Sequence, residues 1–303
     1  MRVDTMTYPE ALALTRSRAV DYLELTKPRV TLLVLVTVAA GTLLASRGTL
    51  NLAALVHTLL GTALVAGGAA ALNQFLERHT DALMRRTENR PLPAGRLQPP
   101  EVLVFGSLLG LAGVVYLALA LRHPLASLVA GLTFVSYVFL YTPLKRKTAL
   151  NTLVGAVPGA LPPVIGWTAV SGTLDPGVLV LFLILFLWQI PHFLAIAWIY
   201  REDYARAGLQ MLPVVDGDGG MTGRQMVSYC LALIPASLAP VGLGLAGWWY
   251  LGAAMVLGFG FLACVVGFNH QHSLSRARRV VQASLIYLPA LMAMLLVDGK
   301  GWM

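Results

Sequence analysis

Asn73, Glu77 and Asp81 stand at four-residue intervals where one long uncharged run ends, and Glu202 and Asp203 stand just beyond the end of another. If the first run continues as helix past Gln74, those three positions fall on one stripe, within an arc of ~80° and along ~12 Å of axis. Three oxygen-bearing side chains so placed suit a hard cation. Mg2+ usually takes only one or two protein carboxylates and completes its octahedron with water and substrate phosphate oxygens. Arg85, Arg86 and Arg90 follow the first stripe, and Lys145-Arg146-Lys147 closes a later apolar run. Arg86 and Arg90 are four apart and would share a helix face, able to grip phosphate through bidentate hydrogen bonds. Together these groups point to a cation-assisted site for a polyanion such as a diphosphate. The competing reading is a set of solvated interfacial acids beside topology-setting arginines. Two acidic clusters at the ends of apolar runs weigh towards function.

The elements that carry these residues follow from composition. Of 303 residues, 57% are hydrophobic and 12% charged, with a mean hydropathy of +0.72, which excludes a water-soluble globular domain. Runs without Asp, Glu, Lys or Arg fall near 30–46, 52–72, 102–121, 125–141, 152–170, 177–199, 227–247, 250–268 and 280–297. Each has about 17–23 residues, enough to cross a ~30 Å hydrocarbon core as helix. Lipid offers no partner for backbone amides and no strand alternation competes, so the expected fold is an all-α polytopic membrane protein with nine transmembrane helices. With the N-terminus inside, nineteen of the 22 Lys and Arg lie on inner segments, leaving Arg47, Arg122 and Lys300 outside. That asymmetry predicts an N-in, C-out bundle with its site on the cytoplasmic side of a bacterial inner membrane.

The net charge of +8 is then mainly a topology signal. No basic segment has an aromatic platform or a soluble module around it, so no nucleic-acid partner is expected. Residues 1–27 read as an interfacial amphipathic segment and 28–303 as a single transmembrane domain. Cys230 and Cys264 fall inside spans without paired spacing and read as packing residues. The Gly217–Gly223 stretch lacks the lysine of a phosphate loop and reads as a flexible connection. His270 and His272 have no carboxylate or cysteine at ligand spacing. Two long loops, each near thirty residues, begin with carboxylates at a helix end and close on a proline-containing apolar stretch, and such loops are usually functional.

His192 lies inside a span, as does His57, and an intramembrane histidine is a functional hypothesis by default. Asp203 follows eleven residues later, about three turns, which on a continuous helix places both on nearly one face with an axial gap of ~16 Å. A long amphiphile with its charged head at the mouth would fit that spacing. His57 has no such partner and reads as structural.

The motifs resemble the UbiA superfamily of membrane prenyltransferases. The likeness is carried by the Asn73-to-Asp81 helix end followed by Arg86-Thr87-Glu88-Asn89-Arg90-Pro91, by Glu202 and Asp203, and by Tyr141-Thr142-Pro143-Leu144-Lys145-Arg146 with Thr148 and Asn151. Within the family, the branch whose acceptor is haem shares the stretch from Pro158 to Trp167 and the hexapeptide Trp188-Gln189-Ile190-Pro191-His192-Phe193. It also shares Asp203-Tyr204-Ala205-Arg206-Ala207-Gly208 through Met211-Leu212-Pro213. The chain departs from the family pattern at Glu77 and His79, where relatives commonly carry Asp, and this bears on how many cations the helix holds.

The resemblance implies a UbiA-type helical bundle that transfers farnesyl from farnesyl diphosphate to a vinyl group of haem b, giving haem O. Mg2+ would be the cofactor, held by Asn73, Glu77, Asp81 and Asp203, with haem b a substrate. Arg90 and Lys145 would stabilise charge on the leaving group, with Arg86, Arg146 and Glu202 beside them, and His192 would contact haem. Membrane lipid surrounds such an enzyme, and haem A synthase or an oxidase assembly factor would be its protein partner. Rival readings are a sister prenyltransferase acting on a quinone precursor, an organic-anion transporter with a midplane site, and a non-catalytic haem-binding assembly factor.

Overall fold

A computed structural model describes residues 17–46, 48–49 and 51–299. The first sixteen residues of the amphipathic segment, and Arg47 and Lys300 of the outer charges, lie outside the described residues. Among those described, nine helices are long and apolar enough to cross a membrane, and the chain is a multi-pass helical membrane protein.

The helices are α1 (Arg18–Leu25), α2 (Pro28–Ser46), α3 (Leu52–Asp81), α4 (Pro99–Ala120), α5 (Leu125–Val135), α6 (Asn151–Ala160), α7 (Pro162–Ser171) and α8 (Pro176–Ile199). They continue as α9 (Arg201–Arg206), α10 (Leu212–Val215), α11 (Gly220–Gly242), α12 (Trp248–His270) and α13 (Leu274–Val297). α5 runs on through a π-helical segment, Ser136–Tyr141, and a last turn to Leu144. α6 and α7 form one span broken at Leu161, where Pro162 and Pro163 lack the amide hydrogens a continuous helix needs.

α3 packs on α4, α2 on α7, α8 on α11 and α13, and α12 on both its chain neighbours, while α13 also meets α2. The α6–α7 span is the most buried of the nine. Glycine makes this centre possible: a Cβ on Gly166 would stand 2.0 Å from the Val38 carbonyl oxygen, and one on Gly41 would stand 2.1 Å from that of Pro163. Such close backbone approach is how helices gain packing where lipid supplies no hydrophobic drive. Large apolar side chains such as Leu32, Leu119 and Val297 face outward. Trp248 and Trp249, both exposed at the start of α12, sit where an interfacial aromatic belt is expected.

The two long loops meet. Met84 from the α3–α4 loop packs with Ala197, Ala207, Leu209 and Met211 around the α8–α11 loop. α1 also belongs to the bundle, since Leu25 is buried against Ala71, Leu92, Leu97 and Val102, and Asp21 accepts from Arg96 at 2.8 Å.

Two sequence expectations are corrected. Beyond Asp81 the chain runs in turns rather than helix, with Thr87 Oγ1 on the Asp81 carbonyl and Pro91 disfavouring the α conformation at Arg90, so Arg86 and Arg90 share no helix face. α8 stops at Ile199, and Tyr200 (φ −107°, ψ 20°) separates it from α9. His192 and Asp203 therefore do not lie along one continuous helix. No proline or glycine marks this break; the Arg86 guanidinium, 4.7 Å from the centre of the Tyr200 ring, packs there from the other loop.

Candidate active site

α3 remains helical through Asp81, so Asn73, Glu77 and Asp81 do share its face. Carboxylates at a helix C-terminus oppose the macrodipole and need cations beside them. Three basic side chains from three other segments supply these. Lys145 Nζ donates to Glu77 Oε1 at 2.7 Å and lies 4.6 Å from the Tyr141 ring centre. Arg90 Nη1 donates to Asp81 Oδ2 at 2.6 Å, and Thr87 Oγ1 donates to the Asp81 carbonyl at 2.8 Å. Lys27 Nζ donates to Asn73 Oδ1 at 2.8 Å, and Asn73 Nδ2 donates to Thr142 Oγ1 at 3.2 Å. Thr142 in turn donates to the Tyr137 carbonyl at 2.9 Å, within the π-helical turn that precedes Lys145. π-Helical turns are often found at functional sites.

Burial alone would lower the Lys145 ammonium, yet Glu77 beside it holds the group well above the ordinary lysine value. Lys27 goes the other way. Burial, with Arg90 and Lys145 adding to it, lowers its ammonium to about 7 despite Glu77 and Asp81 nearby.

The donor set fits a hard divalent cation. Asp81 Oδ1 is a buried oxygen without a hydrogen-bond partner, and Asn73 and Glu77 offer oxygens along the same stripe. The second motif stands apart. Asp203 pairs with Arg206 at 3.2 Å, Glu202 is exposed, and among the described residues no three His, Cys, Asp or Glu gather closely enough to hold a metal. The loops that bear the motifs are nevertheless tied. Arg86 Nη2 donates to Tyr204 Oη at 3.2 Å, Gln210 N donates to the Lys145 carbonyl at 2.7 Å, and Asn151 Nδ2 donates to the Gln210 carbonyl at 2.9 Å. Arg146 is exposed.

His192 is buried on α8, stacked 5.1 Å from Trp188 by ring centres. Its Nδ1 lies 2.7 Å from Ser284 Oγ on α13, and Ser284 Oγ donates its single hydrogen to the Val281 carbonyl at 2.7 Å. Assigned from this network, Nδ1 carries the imidazole hydrogen and Nε2 keeps its lone pair, the form that ligates iron.

Lys27 and Ser284 were not singled out by sequence reasoning. Ser284 leaves no local signal. Lys27 does leave one: a cation beside Pro28 at the start of a helix with no acid in its first turn opposes the macrodipole.

Among the described residues, nine apolar helices carry a cluster of hard oxygen donors ringed by lysine and arginine. The chain belongs to the UbiA prenyltransferase family, whose model matches residues 34–294. A protoheme IX farnesyltransferase of Solibacter usitatus is 49% identical over 290 residues, covering 93% of this chain and 99% of the relative. That of Salinibacter ruber is 47% identical over 282 residues, covering 92% and 98%. Among solved structures, digeranylgeranylglyceryl phosphate synthase superposes with a TM-score of 0.78 at 18% identity, over 92% of this chain and 97% of that one. A UbiA homologue from Archaeoglobus fulgidus bound to GPP and Mg2+ gives 0.61 at 16% identity, over 91% and 99%. Identities this low speak for the fold alone.

Proposed function

We propose that this chain transfers the farnesyl group of farnesyl diphosphate to a vinyl group of haem b, giving haem O and diphosphate. The observation that carries this reading is 49% identity, across nearly the whole length of both chains, to a protoheme IX farnesyltransferase. In the reaction the C1–O bond of the allylic ester breaks and its electron pair leaves with diphosphate. C1 bonds to the terminal vinyl carbon, water adds its hydroxyl to the neighbouring carbon, and one proton is released.

Asn73, Glu77 and Asp81 would hold a divalent cation, with Asp203 the contribution of the second motif. Mg2+, when bound, supplies Lewis-acid polarisation of the diphosphate. Arg90 and Lys145 lie beside those oxygens and would offset the negative charge that grows on the leaving group. The Asp203–Arg206 pair is partly exposed, and such pairs are held weakly enough to exchange partners. Glu202, Arg86 and Arg146 would line the entrance from the loops. His192, with Nε2 free, would meet the haem iron or a polar edge of the macrocycle. The bacterial inner membrane is the proposed location, with the site on its cytoplasmic face and a haem-processing or oxidase assembly protein downstream.

Mass spectrometry of haems extracted after incubating the purified protein with haem b, farnesyl diphosphate and Mg2+ tests the reading. A Mg2+-dependent haem O product is expected. Prenylation of a quinone precursor with haem left unchanged would overturn it.

A further inference from the structure

Lys145 pairs with Glu77 and Arg90 with Asp81, but the third cation of this cluster faces a neutral amide. Lys27 Nζ rests on Asn73 Oδ1 at 2.8 Å, and among the described residues no carboxylate lies within ion-pair distance of it. With Lys27 as ammonium, the cluster carries one positive charge beyond what Glu77 and Asp81 neutralise. That surplus sits on Lys27, partly buried, where an anionic counterpart is favoured.

The backbone at Lys27 is also unusual. Its φ of +48° lies in the left-handed region, and it is the one non-glycine residue there among those described. It precedes Pro28 as well, whose ring favours an extended neighbour. Lys27 N donates to the Glu24 carbonyl at 3.1 Å, and the Lys27 carbonyl accepts from Thr31 N at 3.0 Å. Gln74 Nε2 donates to the Leu25 carbonyl at 3.0 Å. Thus Gln74 fixes the hinge between α1 and α2 while Asn73, its neighbour on α3, receives the side chain. Backbone held against its preference tends to occur where function uses the resulting position.

We propose that Lys27 is a third protein cation of the diphosphate site, its ammonium moving from Asn73 Oδ1 to a phosphate oxygen when diphosphate and a divalent cation bind together. This rests on the diphosphate reading given above. Asn73 Nδ2 is turned to Thr142, so Oδ1 is the atom left for a hard cation. Ammonium and divalent cation compete for that oxygen, and a phosphate that takes up the ammonium lets both remain. The cation alone then binds weakly, and the cation with diphosphate binds tightly.

Two titrations of the purified full-length protein test this: Mn2+ alone, followed by its paramagnetic resonance signal, and inorganic diphosphate in the presence of Mg2+, followed by calorimetry. In Lys27→Met, Mn2+ alone should bind about threefold or more tighter, and diphosphate about tenfold or more weaker. Lys27→Asn accepts left-handed backbone without supplying an ammonium, and should behave as the methionine variant does. Lys27→Arg should keep diphosphate affinity within a few-fold of wild type. Wild-type affinities in Lys27→Asn would reduce Lys27 to a hinge residue and overturn the proposal. Unchanged diphosphate affinity in both uncharged variants would also overturn it while leaving the diphosphate reading in place. A wild-type protein that binds neither probe would overturn both.

Discussion

Asp81 has one carboxylate oxygen on Arg90 and the other buried without a partner. A buried oxygen left unpaired is costly unless something else ligates it, and a bound cation would do so. Asp81→Asn and Asp203→Asn keep side-chain shape and lie at the polar ends of their helices, so expression and membrane insertion should survive. Turnover should fall at least about a hundredfold in each, the loss expected when ~3 kcal/mol of transition-state stabilisation goes. Product formation near the wild-type rate in either variant would remove that residue from the site. Asn73, Glu77 and Asp81 were legible in the sequence because a helix fixes the geometry of residues four apart. Lys27 was hidden as one of many lysines and arginines on the segments assigned inside, since its aim depends on a left-handed backbone set by Gln74 and Glu24.

Helices bring the remaining groups to their places, and some of that placement cannot be read from local sequence. The π-helical Ser136–Tyr141 segment has the composition of any apolar helix, yet its Thr142 and Lys145 ends reach Asn73 and Glu77. The break at Tyr200 has no proline or glycine to announce it. The α3–α4 loop carries only a partial signal, since Pro91 disfavours helix at Arg90 while the turns from Ala82 to Asn89 contain no proline or glycine. The α8–α13 contact bears on His192, because Ser284, donating to the Val281 carbonyl, is placed to accept from the imidazole Nδ1. If that imidazole meets haem, His192→Ala should weaken haem binding about tenfold, with Mg2+-dependent farnesyl diphosphate binding nearly unchanged. Ser284→Ala should weaken haem binding by less, and Ser284→Thr should restore it. Absorbance titration with haem b reads all three variants, and an unaltered haem affinity in His192→Ala would make it a packing residue.

At the scale of the whole molecule, nineteen of 22 basic residues fall on the segments assigned inside, and the two long loops that hold many of them pack on each other at one end. Reporters inserted in the loops at 83–100 and 206–224 should therefore read as cytoplasmic, and one fused after Met303 as external. A periplasmic signal from either loop would overturn the orientation.

The length of α3 has a consequence of its own. Its thirty residues extend ~45 Å, against ~30 Å of hydrocarbon. Counted from Leu52, Asn73 comes after ~32 Å, with Glu77 and Asp81 one and two turns beyond. The helix is thus a ruler that sets the depth of the donors by counting residues, and the lipid supplies its zero mark. A thicker bilayer would draw Asn73 beneath the headgroups, and a thinner one would push Glu77 and Asp81 towards bulk water. Membrane thickness thereby bears on the depth at which these donors sit.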